Sequence, residues 1–145
     1  MITLQQIQDA HKKILPYVNY TPLINSNFLS KSNTVKLKLE NFQITGSFKL
    51  RGAVNKLLSL SEDDKNKGVI AVSTGNHGKG VAYASKVLDI QSTIYMSSMV
   101  PEYRKEAIEK LGAKVEIIGK NSDEADLYAK QIAKEKNIPL IHPFD

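Results

Sequence analysis

The chain has no cysteine. Disulfides and thiolate metal sites are therefore excluded, and the composition suits a reducing cytoplasm. No apolar run approaches the roughly 20 residues that cross a bilayer. Met1-Ile2-Thr3-Leu4-Gln5-Gln6 lacks the charged and then apolar pattern of a secretory leader. Neither membrane insertion nor export is expected. There is no cluster of His, Asp and Glu at metal-ligand spacing, so no metal is expected. The glycines are never bunched into a run, and there is no internal repeat. The dinucleotide fingerprint and the phosphate-loop ending Gly-Lys-Ser/Thr are both missing.

What is present is an ordinary globular composition. The 145 residues are 41% hydrophobic and 24% charged, enough for one domain with its own core. The net charge is +5. The cations are scattered among acids, as in Glu102-Tyr103-Arg104-Lys105-Glu106, rather than gathered on one strip. That pattern argues against nucleic acid. A mild positive excess suits an anionic substrate or cofactor.

Thr3 and Gln6 have the spacing of a capping box, and Leu4, Ile7, Ala10, His11, Ile14 and Leu15 follow at helical spacing up to Pro16. Thr21-Pro22-Leu23 is extended. Val35 to Glu40 alternates and predicts a strand with one buried face. A helix is expected from about Ser47 towards Leu60, and a short helical start at Ser61. After Gly68 the rhythm is regular. Strands are expected at 69–73, 92–96, 114–118 and 139–142. Helices are expected from about Asn76 to Leu88, from Pro101 as a first-turn proline to Leu111, and from a Ser122 cap to Lys136. This alternation predicts an α/β fold with a parallel sheet and flanking helices.

Two segments carry chemistry. In Ser47-Phe48-Lys49-Leu50-Arg51-Gly52, a lysine sits on the first helical turn. The positive end of the helix dipole there disfavours its charge, and Arg51 would add repulsion if close. A neutral amine is what attacks an aldehyde. Phe48 offers a face to a flat ring, and Gly52 would let the helix approach something closely. A surface lysine is the bland alternative. In Ser73-Thr74-Gly75-Asn76-His77-Gly78, a buried strand turns into a helix. Open α/β sheets bind ligands at such places, and free N–H groups there favour a carboxylate or phosphate. An ordinary glycine turn is the alternative. His77 alone reads as a packing or capping residue, and His11 and His142 likewise.

These segments, with Thr21-Pro22-Leu23, the whole block from Glu40 to Ala53, and the closing His142-Pro143-Phe144-Asp145, resemble the PLP-dependent threonine/serine dehydratases. The tryptophan synthase β chain and serine racemase share that fold, fold type II. The match covers nearly the whole chain. It implies pyridoxal 5'-phosphate as cofactor and an amino acid as substrate. It makes Lys49 catalytic and the residue that holds the cofactor, with Phe48 against the pyridine ring and Asn76 on the phenolic oxygen. Ser73, Thr74, Gly75, Asn76 and His77 would bind the substrate carboxylate. The implied reaction is that of an ammonia-lyase: L-threonine gives 2-oxobutanoate and ammonia, and L-serine gives pyruvate. Thr74 stands where racemase-like members have a catalytic serine, so an acid/base role, racemisation, and dehydration of another hydroxy-amino acid stay open.

By the same resemblance, residues 1–67 are the incomplete first part of a large domain and residues 68–145 a small α/β domain. The glycine-rich phosphate cradle of the family has no counterpart here. The chain is accordingly expected to be an amino-terminal fragment, weak or inactive alone. It would act as a homo-oligomer or with a complementing carboxy-terminal segment, and apolar faces in its first half would be exposed. A truncated, non-catalytic α/β module is the competing reading. A nucleotide-binding domain is a third, which leaves the Ser47–Gly52 block unexplained.

Overall fold

The computed structural model describes residues 1–144. Three parallel strands form the main sheet: β3 (Val69–Val72), β4 (Ser92–Met96) and β5 (Lys114–Ile117), in the order β3-β4-β5. β3 and β4 follow from short, mostly apolar runs and β5 from Val115 and Ile117 alternating with Lys114 and Glu116, alternate residues feeding opposite faces. Val69 and Ala71 join Ile94 and Met96 in one core, under α4 (Asn76–Val87) and α5 (Glu102–Glu109). Ile70 and Tyr95 face the other way and pack on Ala129 and Ala133 of α6 (Ser122–Lys136). Among the described residues, no helix is long and apolar enough to cross a membrane.

The fourth expected strand, 139–142, is reduced to one bridge between Ile70 and Leu140. The Ile70 amide donates to the Pro139 carbonyl at 2.9 Å, and the Ile141 amide donates to the Ile70 carbonyl at 2.7 Å. The next acceptor in line, the Ile141 carbonyl, is bonded instead by the His77 ring at 2.8 Å. The ladder stops where a side chain takes its place.

Helix ends also differ from expectation in physical detail. Pro101 is the cap of α5 rather than its first residue, with an extended ψ of 140°. Asn121, not Ser122, caps α6, its side chain receiving the Glu124 amide at 2.9 Å. Ser61 does cap a short helix, α3 (Glu62–Lys67). Gly112 ends the turn after α5 with φ of +100°, a conformation that disfavours any residue with a Cβ.

In the first half, α1 (Leu4–Ile14) has its capping box, but Ile14 is its one buried residue. A strand not foreseen, β1 (Leu23–Asn25), pairs antiparallel with β2 (Lys36–Lys38). The face of β2 expected to be buried is not: Leu37, Leu23 and Ile24 are all exposed. No described element lies over this ribbon, so the alternation of Val35–Glu40 has nothing to bury against. The expected exposure of apolar faces in this half holds for the ribbon but not for the helix that starts near Ser47, whose Leu50, Val54 and Leu57 are fully buried because α4 covers them.

The helix α2 (Lys49–Leu58) ties the halves together. Its Leu50, Ala53, Val54 and Leu57 enter the same core as Val81, Ala82 and Ala84 of α4. The approach is closest at Gly80. A Cβ there would lie 3.2 Å from the Leu50 nitrogen and 3.2 Å from the Lys49 carbonyl carbon. Glycine at 80 therefore lets the start of α4 seat on the start of α2. Gly52 lacks the close neighbour expected of it, since a Cβ at that site meets nothing within 4 Å.

The two glycines should respond oppositely to alanine. Gly80→Ala is expected to destabilise by about 1–3 kcal/mol, because overpacking against backbone exceeds the gain in helix propensity. Gly52→Ala is expected to stabilise by up to about 1 kcal/mol. Urea titration of both variants checks the difference, and equal signs would count against this packing.

Candidate functional site

The Lys49 side chain opens onto a cleft of about 210 Å³. Gly52, Ala53 and Lys56 line it from the same helix, at the i+3, i+4 and i+7 positions that share the face of Lys49. His77 closes it from α4, and Ile141 to Phe144 from the segment after the bridge. The Lys49 Nζ donates to the Pro143 carbonyl at 2.7 Å. It stands 5.1 Å from the Phe144 ring centroid and 5.6 Å from that of Phe48, within cation–π range. Phe48 is itself exposed, leaving a ring face open.

Arg51 does not share this cleft. At i+2 it points about 200° around the helix from Lys49. There its guanidinium grips Glu40 with two bonds, of 3.0 Å and 2.9 Å. The Thr21 hydroxyl donates to the same carboxylate at 2.6 Å. Arg51 also donates to the Asn19 carbonyl at 3.2 Å, and Lys38 donates to the Thr21 carbonyl at 2.6 Å. The carboxylate balances the Arg51 charge, so the repulsion expected of it on Lys49 is cancelled. Arg51 instead anchors the segment leading into α2, and with it the orientation of Lys49. The hydrogen bond from Arg51 holds the Glu40 carboxyl below its ordinary value of 4.5, against desolvation, with Thr21 assisting.

His77 is buried, with Nε2 2.8 Å from the Ile141 carbonyl. Burial lowers its proton affinity; the Ile141 bond opposes this, while Lys49 and His142 add to it. The cleft thus holds a lysine amine, a second lysine, an aromatic face and a neutral imidazole, and among the described residues none that lines it is acidic. That donor set fits a flat, anionic aldehyde such as pyridoxal phosphate.

The other residues singled out from sequence lie beside this cleft, not in its lining. Ser73, Thr74 and Gly75 join β3 to α4, and Asn76 is the first residue of that helix. The Gly75 amide donates to the Ser73 hydroxyl at 3.2 Å, which folds the turn on itself. Gly75 caps α4 with no side-chain bond to the first-turn amides. Within this turn, His77 alone reaches the Lys49 cleft; Gly80 carries the backbone contact to Lys49. Gly78 is required for a different reason, since a Cβ would meet Ile108 Cδ1 at 2.8 Å and the Ser73 carbonyl at 3.0 Å.

Sequence reasoning missed His142, Lys56 and the Glu40–Arg51 pair. His142 follows a segment that bridges β3, so it lies at the carboxyl edge of the sheet, where a ligand site was already expected. Lys56 carried a signal in its seven-residue spacing from Lys49. Glu40 and Arg51 carried none, since their pairing is tertiary.

Known proteins resemble this chain along nearly its whole length. The family model described as "Pyridoxal-phosphate dependent enzyme" matches residues 14–145. The catabolic L-threonine dehydratase TdcB of Staphylococcus aureus (strain USA300) is 46% identical across 100% of this chain. The chain spans 43% of that relative's length. The serine racemase of Dictyostelium discoideum superposes with a TM-score of 0.89 at 36% identity, over 99% of this chain and 48% of that one. The processed form of threonine deaminase isoform 2 from Solanum lycopersicum gives a TM-score of 0.87 at 32% identity, over 99% and 44%.

Replacing Glu40 tests the anchor. Glu40→Gln is expected to cost about 1–3 kcal/mol at pH 7, because it loses a charge-assisted, two-pronged bond. A depressed carboxyl contributes stability above its ordinary value and loses it as pH falls through the lowered one. The gap between wild type and variant should therefore close on acidification below 4.5. Denaturant titrations across pH measure it, and a gap independent of pH would contradict the pairing.

Proposed function

This chain belongs to the pyridoxal-phosphate-dependent enzyme family, and within that family we propose that it serves an ammonia-lyase acting on L-threonine. L-Serine is a second substrate on this reading, and the site is cytoplasmic. The observation that carries the proposal is the lysine itself: Lys49 faces a cleft beside an open aromatic ring, 2.7 Å from a backbone carbonyl. The 46% identity to a threonine dehydratase supports the choice of substrate.

Lys49 would hold the cofactor through Nζ, Phe48 would face its ring, and Asn76 would bond its phenolic oxygen. When bound, the cofactor supplies a sink for the electron pair left at the substrate α-carbon. The chain's own residues do the rest. The amides and hydroxyls of Ser73, Thr74, Gly75, Asn76 and His77 bind the substrate α-carboxylate at the positive end of α4. Lys49 Nζ, freed once the substrate amine has taken its place, would take the α-proton. The β-hydroxyl departs as water with a proton returned from Lys49 Nζ, and hydrolysis of the resulting enamine releases ammonia, leaving 2-oxobutanoate from threonine or pyruvate from serine. His77 stays neutral and adds no competing charge beside Nζ.

Thr74 supports a second reading, racemisation. Among the described residues none hydrogen-bonds its hydroxyl, which is therefore available to move a proton, although its β-branch restricts the rotamer. We further propose a division into residues 1–67, part of a large domain, and 68–145, a small α/β domain, joined at the α2–α4 contact. The exposed Leu23, Ile24 and Leu37 support self-association or a complementing carboxy-terminal segment, on which full turnover would depend.

Reductive trapping tests the proposal. Incubation with pyridoxal phosphate and borohydride should give one adduct per chain, located at Lys49 by mass spectrometry and lost in Lys49→Ala. Label scattered over many lysines, and unchanged in Lys49→Ala, would overturn it.

A further inference from the structure

The segment after the bridge crosses the cleft as a strap, and among the described residues three hydrogen bonds tie it to the sheet, to α4 and to α2. The Ile141 amide reaches the sheet at the Ile70 carbonyl, 2.7 Å away. The Ile141 carbonyl meets His77 Nε2 at 2.8 Å. Two residues on, the Pro143 carbonyl receives Lys49 Nζ at 2.7 Å. A carbonyl only accepts, so Nε2 must carry the ring proton. His77 therefore occupies one tautomer, and its donor replaces the next rung of the sheet ladder.

We infer that His77 is a positioning residue: through its Nε2–H bond to Ile141 it sets the path of the 141–144 strap, and so the place of the Lys49 amine. The sheet bond alone fixes Ile141 on one side. The ring fixes the peptide that follows it, from which Pro143 and Phe144 extend over Lys49. Because His77 also belongs to the first turn of α4, it links the carboxylate-binding turn to the lysine. This inference rests on the reading of Lys49 as the reactive lysine. The burial of the ring supports it, since a charged imidazole would be disfavoured there.

Two cofactor-free measurements test it. The first is competitive trace acetylation of the lysines, read residue by residue. In His77→Ala the Lys49 rate should rise roughly fivefold, the effect of one lost hydrogen bond on how its amine is held. In His77→Gln, whose side-chain amide donates in place of Nε2–H, the rate should return to near the wild-type value. Lys38 is the internal control, because it is held by the Thr21 carbonyl at 2.6 Å away from the strap. A purely structural role for His77 would raise both lysines together, and that result, or no change at either, overturns the inference. The second measurement is long-range ¹H–¹⁵N NMR of the wild-type ring at neutral pH. The Nε2–H tautomer is expected, and an Nδ1–H ring or a cation overturns the inference even if His77→Ala fails to fold. Failed trapping of pyridoxal phosphate with the acetylation pattern intact would count against the proposed function alone.

Discussion

The contact between Gly80 and the Lys49–Leu50 peptide is the constraint on which the rest of the site depends. Two helix starts meet there with no side chain between them, a Cβ at 80 having only 3.2 Å to the backbone opposite. One start carries the lysine. The other carries the turn with the unpaired first-turn amides. Neither element makes a site alone: a lysine on a helix is ordinarily a solvated cation, and a glycine turn is ordinarily a turn. Buried side chains of both helices share one core behind the contact, which keeps the two starts in register.

Charge is divided around α2 by its pitch. The face with Lys49, Gly52, Ala53 and Lys56 looks into a cleft that no acidic residue lines among the described residues. Arg51, about 200° away, meets the carboxylate of Glu40 on the far side. The Glu40 carboxylate is thus committed to anchoring, while Lys49 and Lys56 give the cleft positive charge suited to an anionic guest. His77, neutral in the same cleft, supplies a directed bond without a charge. The strap it holds brings a carbonyl and an aromatic ring to the amine of Lys49.

The second half of the fold was legible because its strands are short apolar or alternating runs and its helices are bounded by local signals such as Pro101 and Gly112. The first half was not, since β1 and β2 are exposed and leave the period of Val35–Glu40 without a partner to interpret it. Lys49 was legible from its neighbours, Phe48 above all. Arg51 was misjudged because adjacency in sequence was read as adjacency in space, where helical pitch separates the two. Gly52 was assigned the close approach that belongs to Gly80, twenty-eight residues later in a different helix. The roles of His77 and His142 were hidden because they arise from the 139–144 segment crossing the sheet edge, a tertiary event without a local signature.

The most direct measurement is the nuclear Overhauser effect between the Leu50 amide proton and the Gly80 α-protons in the folded chain. Seating of α4 on α2 should give a strong cross-peak, because these groups are in van der Waals contact. With both residues assigned and the helices formed, absence of that cross-peak would mean that lysine and turn are not held together, and the site would have to be assembled in some other way.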